Sequence, residues 1–262
     1  MFERLTMKYS DSENYLDIFF LSFFFAFLSV LLVHHMIAFQ VGGNTLGGVI
    51  SVLLTSLAVS YPFVRYLLEE EEMEISENWT EKKLLERHAH QMELYVSFFL
   101  GTTLGFALSS FFVPKAFFSI QSQVLETIRS PTGMVVGNTV FQEIVRNNLW
   151  VFSITFVLAF FISSGILFIL AWNASVLGVL IGNLADSAFH VPMVTLFYLP
   201  HGLLEVGGYV FAGIAGSLLS YKIEEGVLEE DHEGVWRVVK DSAVILVLGV
   251  LLILLAAGIE VL

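Results

Sequence analysis

His201 and Glu205 stand one helical turn apart in PHGLLEVGGYVFAGIAGSLLSY, residues 200–221, a run long enough to cross a bilayer. Positions four apart on a helix share a face, so this imidazole and this carboxylate would look at the same neighbour. The stripe continues through Gly208, Ala212 and Gly216, polar at its start and small thereafter, as close approach of a second helix requires. An ionised carboxylate in hydrocarbon costs on the order of 3 kcal/mol. Glu205 must therefore face protein, a partner charge, water or an ion.

Other polar groups recur near apolar runs: Asn147 and Asn148 ahead of one, Asn173, Asp186 and His190 around the next, and Glu260 almost at the end of the last. Two histidines and up to three carboxylates suit zinc or another divalent metal, with His201, Glu205, Glu260 and His190 as the ligand set. Such a centre could activate water, a spare carboxylate serving as general base. Against it, no HExxH is present, and the ligands are scattered over separate segments. In the competing reading Asn147, Asn148, Asn173, Asp186, His190, His201, Glu205 and Glu260 form a hydrogen-bonded brace that locks a bundle. A cavity for transport or lipid handling is the third. Nucleophile-elbow chemistry has no Gly-x-Ser-x-Gly to rest on, and Gly42-Gly43 and Gly47-Gly48 lack the Lys and Ser/Thr of a phosphate loop.

The elements that must position these groups are apolar helices. Hydrophobic residues make up 56% of the chain and Phe occurs 25 times, more than a soluble core of this length uses. An all-α polytopic membrane protein follows, with about seven transmembrane helices, one of them short or broken, plus interfacial helices. The net charge of −13 excludes a nucleic-acid partner and a polybasic grip on anionic lipid. Without cysteine there is no disulfide, no thiolate metal site and no cysteine nucleophile.

In order, spans are expected at about 15–38, 46–68, 92–113, 149–171, 174–190, 200–221 and 242–261. The first follows a mixed-charge start and has no small-residue cleavage site, so it is expected to be retained. FQVGGN links the first two into a hairpin. Residues 1–68 thus form an N-terminal hairpin, 69–91 an acidic cytoplasmic juxtamembrane segment with Glu69 to Glu72 and Glu74, and 92–262 a five-span core. His88 and His90 are two apart and so on different faces, which disfavours a metal pair. After Pro114, Phe117, Ile120, Val124, Leu125 and Ile128 keep an amphipathic period, predicting an interfacial helix. Ser130-Pro131-Thr132-Gly133 breaks the chain, and a second short helix with Phe141, Ile144 and Val145 leads into the fourth span. The fifth, 174–190, is the short one, broken or re-entrant if VPMVTLFYL belongs to it.

Lys and Arg set orientation. With seven spans and the amino terminus inside, Arg4, Lys8, Arg65, Lys82, Lys83, Arg87, Lys222, Arg237 and Lys240 fall inside, while Lys115, Arg129 and Arg146 fall outside. Nine against three favours a cytoplasmic amino terminus and an outer carboxyl terminus in the plasma membrane. The Asn78-Trp79-Thr80 sequon then lies inside and is discounted. The same topology gathers the polar groups towards the outer leaflet, with Glu205 only about 6 Å deeper than His201 at the start of its span.

Residues 90–262 resemble the integral membrane family typified by stage II sporulation protein M. Phe141, Ile144, Asn147 and Asn148 match an FxxIxxNN entry, and Asn173 with Gly178 and Gly182 matches the next element. His201, Gly202 and Glu205 match HGxxE, while Ala257, Ile259 and Glu260 match the close. Where the family has Asn-Gly, Asn173 is followed by Ala174. The resemblance implies an integral membrane protein whose type member looks like a scaffold for murein-degrading enzymes. For this chain it points to a non-enzymatic scaffold with protein partners, contact with membrane lipid, scope for homo-oligomers and no required cofactor. The alternatives are a metal-dependent hydrolase using His201, Glu205 and Glu260, and a transporter or channel.

Overall fold

The computed structural model describes residues 14–38, 46–76, 88–129, 137–162, 164–229 and 232–261. Helices α1 (Asn14–Ala38), α2 (Gly47–Ser76) and α3 (Ala89–Ser109) come first. A 3-10 turn at Lys115–Phe118 leads into α4 (Ser119–Arg129), followed by α5 (Gly137–Phe161) and α6 (Gly165–Leu184). A second 3-10 turn at Ala188–His190 opens α7 (Val191–Glu229), and α8 (His232–Val261) closes the fold. No strand occurs among the described residues. The FQVGGN linker, the Ser130–Gly133 break, the Asn78 sequon and the first 13 residues lie outside them.

Among the described residues six helices are long and apolar enough to span a membrane: Tyr15–Met36, Ala89–Ser109, Val140–Phe161, Gly165–Leu184, Ala188–Ile223 and Gly234–Val261. The protein is an all-α, multi-pass membrane protein. The seventh expected crossing corresponds to α2, whose apolar stretch, Gly47–Phe63, is the short one.

Packing between helices fixes their relative directions. Gly101 of α3 lies against Phe19 of α1 and Gly105 against Ala26, so these two helices run parallel. Gly178 of α6 abuts Thr103 and Phe106, and Gly182 abuts Ala107 and Ser110, so α6 follows α3 in direction. Against α6, α7 runs the other way, with Gly213 on Ile166 and Gly202 near Leu177. Its neighbour α5 is parallel to it, with Asn148 beside Glu205 and Ala159 beside Gly216. On α8, Ser242 donates to Ala215 O at 3.4 Å and Ile253 packs on Gly208, again antiparallel. Ser29 Oγ and Thr55 Oγ1, 2.8 Å apart, join α1 to α2, and Phe117 touches both His34 and Gly47. These two helices are thus antiparallel. Helices α1, α3, α6 and α8 rise towards one face, here the upper face, while α2, α5 and α7 descend from it.

Lipid tails are as apolar as Leu, so burial alone does not hold such helices together; close packing and interhelical hydrogen bonds do. A Cβ on Gly178 would sit 2.6 Å from Thr103 O and 2.8 Å from Phe106 Cβ. Only glycine permits that backbone approach. Phe106 fills the space beside it and, like Phe63, Phe98, Phe117 and Phe118 elsewhere in the core, is fully buried.

Three boundaries differ from expectation. The turn between the fourth and fifth spans falls between Phe161 and Gly165 rather than at 172–173. It is closed by Ile162 N–H to Leu158 O and Gly165 N–H to Ile162 O, both 2.7 Å. Apolar sequence continues on both sides, and Ser163-Ser164-Gly165 is too short to lower the hydropathy of the whole run, so α6 becomes a full-length span instead of the short one. Residues 141–145 belong to α5 itself and do not form a separate helix. Finally, α7 runs unbroken through Pro200. A proline removes one backbone bond and can kink a helix, but the surrounding turns carry this one on. His201 therefore lies inside a helix of 39 residues, not at its entrance.

Helix α4 turns its apolar side into the bundle, burying Gln121 and Leu125 just after Phe117 and Phe118. Gln121 Nε2 donates to Ser175 Oγ of α6 at 3.4 Å.

Candidate functional site

Two descending helices bring the polar groups together. On α7, Glu205 and Tyr209 are one turn apart and share a face; α5 places Asn148 opposite both. Asn148 Nδ2 donates to Glu205 Oε1 at 2.6 Å, and the Tyr209 hydroxyl donates to Asn148 Oδ1 at 2.8 Å. Asn147 Nδ2 adds a longer contact to the same Oδ1, 3.4 Å. One amide thus joins a carboxylate to a phenol through its two ends. Tyr209 and Asn148 are buried, 2% and 5% exposed, whereas Glu205 is half-buried. Glu260, near the upper end of α8, is exposed and close enough to act electrostatically on both Glu205 and Tyr209.

The site lies deeper than a span starting at His201 implies. Glu205 is fourteen residues beyond Val191, about 21 Å along α7, and eight residues before Gly213, about 12 Å. Since Gly213 packs at the start of α6, the carboxylate stands near the middle of the bundle's height.

The remaining expected residues go elsewhere. His201, half-buried, sets its ring edge-on against Tyr198, centroids 5.8 Å apart. Asp186 and His190 pair with one another at 3.8 Å in the exposed turn before α7. Asn173 sits in the middle of α6 and donates to Ile169 O of its own helix at 2.8 Å. Among the described residues no three His, Asp or Glu side chains stand together as a metal would need. His201, Glu205, Glu260 and His190 are not drawn into one ligand sphere, so the residues present do not fit the divalent-metal reading. His90, for its part, approaches Glu93 at 3.8 Å.

Tyr209 is the member that motif reading missed. Its signal was available: it follows Glu205 by four residues, as Glu205 follows His201, but within an apolar run a tyrosine reads as packing.

A multi-pass helical bundle with a hydrogen-bonded polar seam between two of its spans is the class that fold and site define. A family profile described as Stage II sporulation protein M matches residues 94–262, and the chain belongs to that family. It is also 31% identical over 128 residues, 46% of this chain and 68% of the relative, to an uncharacterized protein of Methanocaldococcus jannaschii. No solved structure matches.

Proposed function

We propose that this protein is a non-enzymatic membrane organiser, in which the Asn148–Glu205–Tyr209 seam locks the bundle and the exposed segments engage partner proteins. The observation that carries this reading is the closure of the seam. Each hydrogen-bonding atom of Asn148 has a partner inside the bundle, and a carboxylate that would cost about 3 kcal/mol unpaired is met by an amide donor. A hydrolytic centre would leave its nucleophile-activating group facing a substrate space. Here Glu205 instead ties α7 to α5. The charge bias of the loops supports placement in the plasma membrane with the amino terminus cytoplasmic and the carboxyl terminus outside, bathed by lipid and free to self-associate. The partner surfaces proposed are the stretch 114–147 on the outer side and the acidic stretch 69–92 on the inner.

Metal content and partner recovery test this together. Purified protein is expected to carry no stoichiometric metal, and His201→Ala is expected to lower thermal stability or cross-linked partner yield without abolishing a turnover. About one metal per chain, lost with His201→Ala, overturns the organiser in favour of the hydrolase.

A further inference from the structure

The Tyr209–Asn148–Glu205 chain has a direction, and that direction depends on a proton. An ionised carboxylate only accepts hydrogen bonds. It therefore requires the NH2 end of Asn148, which leaves Oδ1 for the Tyr209 hydroxyl, the arrangement found here at 2.6 and 2.8 Å. A protonated carboxyl has a donor of its own. With one proton added and no other bond made or broken, the Asn148 amide can turn over, accept from the Glu205 O–H through Oδ1 and donate through Nδ2 to the Tyr209 oxygen. The tyrosine proton then has to find another acceptor.

We propose that Glu205 is a proton-binding site whose occupancy is passed through Asn148 to Tyr209, so that the α5–α7 seam has two hydrogen-bonded states. The ligand is a proton that reaches Glu205 from the side of Glu260, near the end of α8. Exposure falls along the chain from half-buried Glu205 to Asn148 and Tyr209, which are nearly sealed, so entry is at the carboxylate. The groups acting on it are Glu260 from α8, Tyr209 from its own helix and the uncharged Asn148 from α5, while His201, one turn earlier on α7, sets its ring against Tyr198. Arg146, two positions from Asn148, is exposed on another side of α5. The inference rests on the seam geometry used for the organiser but needs neither partner nor absence of metal.

Infrared difference spectroscopy of the purified full chain in lipid nanodiscs, titrated between about pH 4 and pH 9, tests it. Expected is a deuterium-sensitive protonated-carboxyl band that grows on acidification together with a tyrosine ring-mode change. Glu205→Gln should lose the tyrosine change and the share of the carboxyl band that rises in step with it, while the other acidic side chains keep theirs. Asn148→Ala should keep the carboxyl band and lose the coupled tyrosine change, and Tyr209→Phe should lose only the tyrosine change. Glu260→Gln should move the midpoint. If Glu205→Gln does not fold, the Tyr209→Phe and Asn148→Ala comparison decides. A carboxyl band unchanged in Glu205→Gln, a tyrosine change unaltered in Tyr209→Phe, or no titrating carboxyl in the wild type overturns the proposal. Any of these leaves the organiser reading standing; stoichiometric metal would sink that reading instead.

Discussion

Glu205 and Tyr209, one turn apart on α7, are joined through opposite ends of a single amide, Asn148 of α5. Two residues of one helix thereby hold a third on its neighbour, and neither contact can be lost without leaving Asn148 half-paired. In a low-dielectric setting an unpaired polar group is costly, and that cost makes the seam a lock.

Tyr209→Phe removes one hydroxyl and leaves Asn148 Oδ1 with only its longer contact from Asn147. A loss of about 1 kcal/mol is expected. Asn173→Ala is the control, since among the described residues the Asn173 side chain bonds to its own helix, at Ile169 O. It should stay within about 0.5 kcal/mol of wild type. Unfolding in mixed detergent micelles reads both; equal effects would place the seam on no better footing than any part-buried amide.

Gly178→Ala inserts a methyl 2.6 Å from Thr103 O, against backbone that cannot swing aside. Separation of α3 from α6 should cost about 1–3 kcal/mol. Gly258→Ala meets nothing within 4 Å. There the change should be neutral or gain up to about 1 kcal/mol from helix propensity. Thermal stability of the two variants side by side checks the packing, and a harmless Gly178→Ala contradicts it.

Ser29 and Thr55 are the polar tie between α1 and α2. A double-mutant cycle to alanine should return a coupling of about 0.6 kcal/mol, the usual scale for such pairs in membranes. Strict additivity would mean the hairpin is held by shape alone.

The absence of cysteine makes sidedness directly measurable. In intact cells, Lys115→Cys and Glu260→Cys should react with a membrane-impermeant thiol reagent, while Lys222→Cys should react only after lysis. The reverse pattern inverts the proposed orientation.

Much of this was legible before any coordinates. Apolar runs mark where helices cross because hydrocarbon tolerates little else, and six of them appear as full-length spans. The polar residues at the seam stood out for the same reason: Asn148 and Glu205 are expensive where they are. What hydropathy could not mark is a reversal inside apolar sequence. Between Phe161 and Gly165 the only mark in the sequence is Ser163-Ser164-Gly165, too short to break a long apolar run, so the fifth span is expected too late and Asn173 near a turn. Pro200 misled in the opposite way, suggesting a start that thirty-nine helical residues override. Both errors shifted depth. A helix beginning at Val191 lowers Glu205 towards mid-bundle, away from Asp186 and His190, and the larger cluster expected near one surface resolves into a three-residue seam and a separate exposed pair.

The central claim is that Glu205 is held by Asn148 across the α5–α7 interface. An Asn148→Ala, Glu205→Gln double-mutant cycle on unfolding free energy measures that most directly. The structure predicts a coupling of about 1.5–3 kcal/mol, the range for a hydrogen bond to a charged group. Additive effects within about 0.3 kcal/mol would show that the two side chains do not depend on one another, and would contradict it.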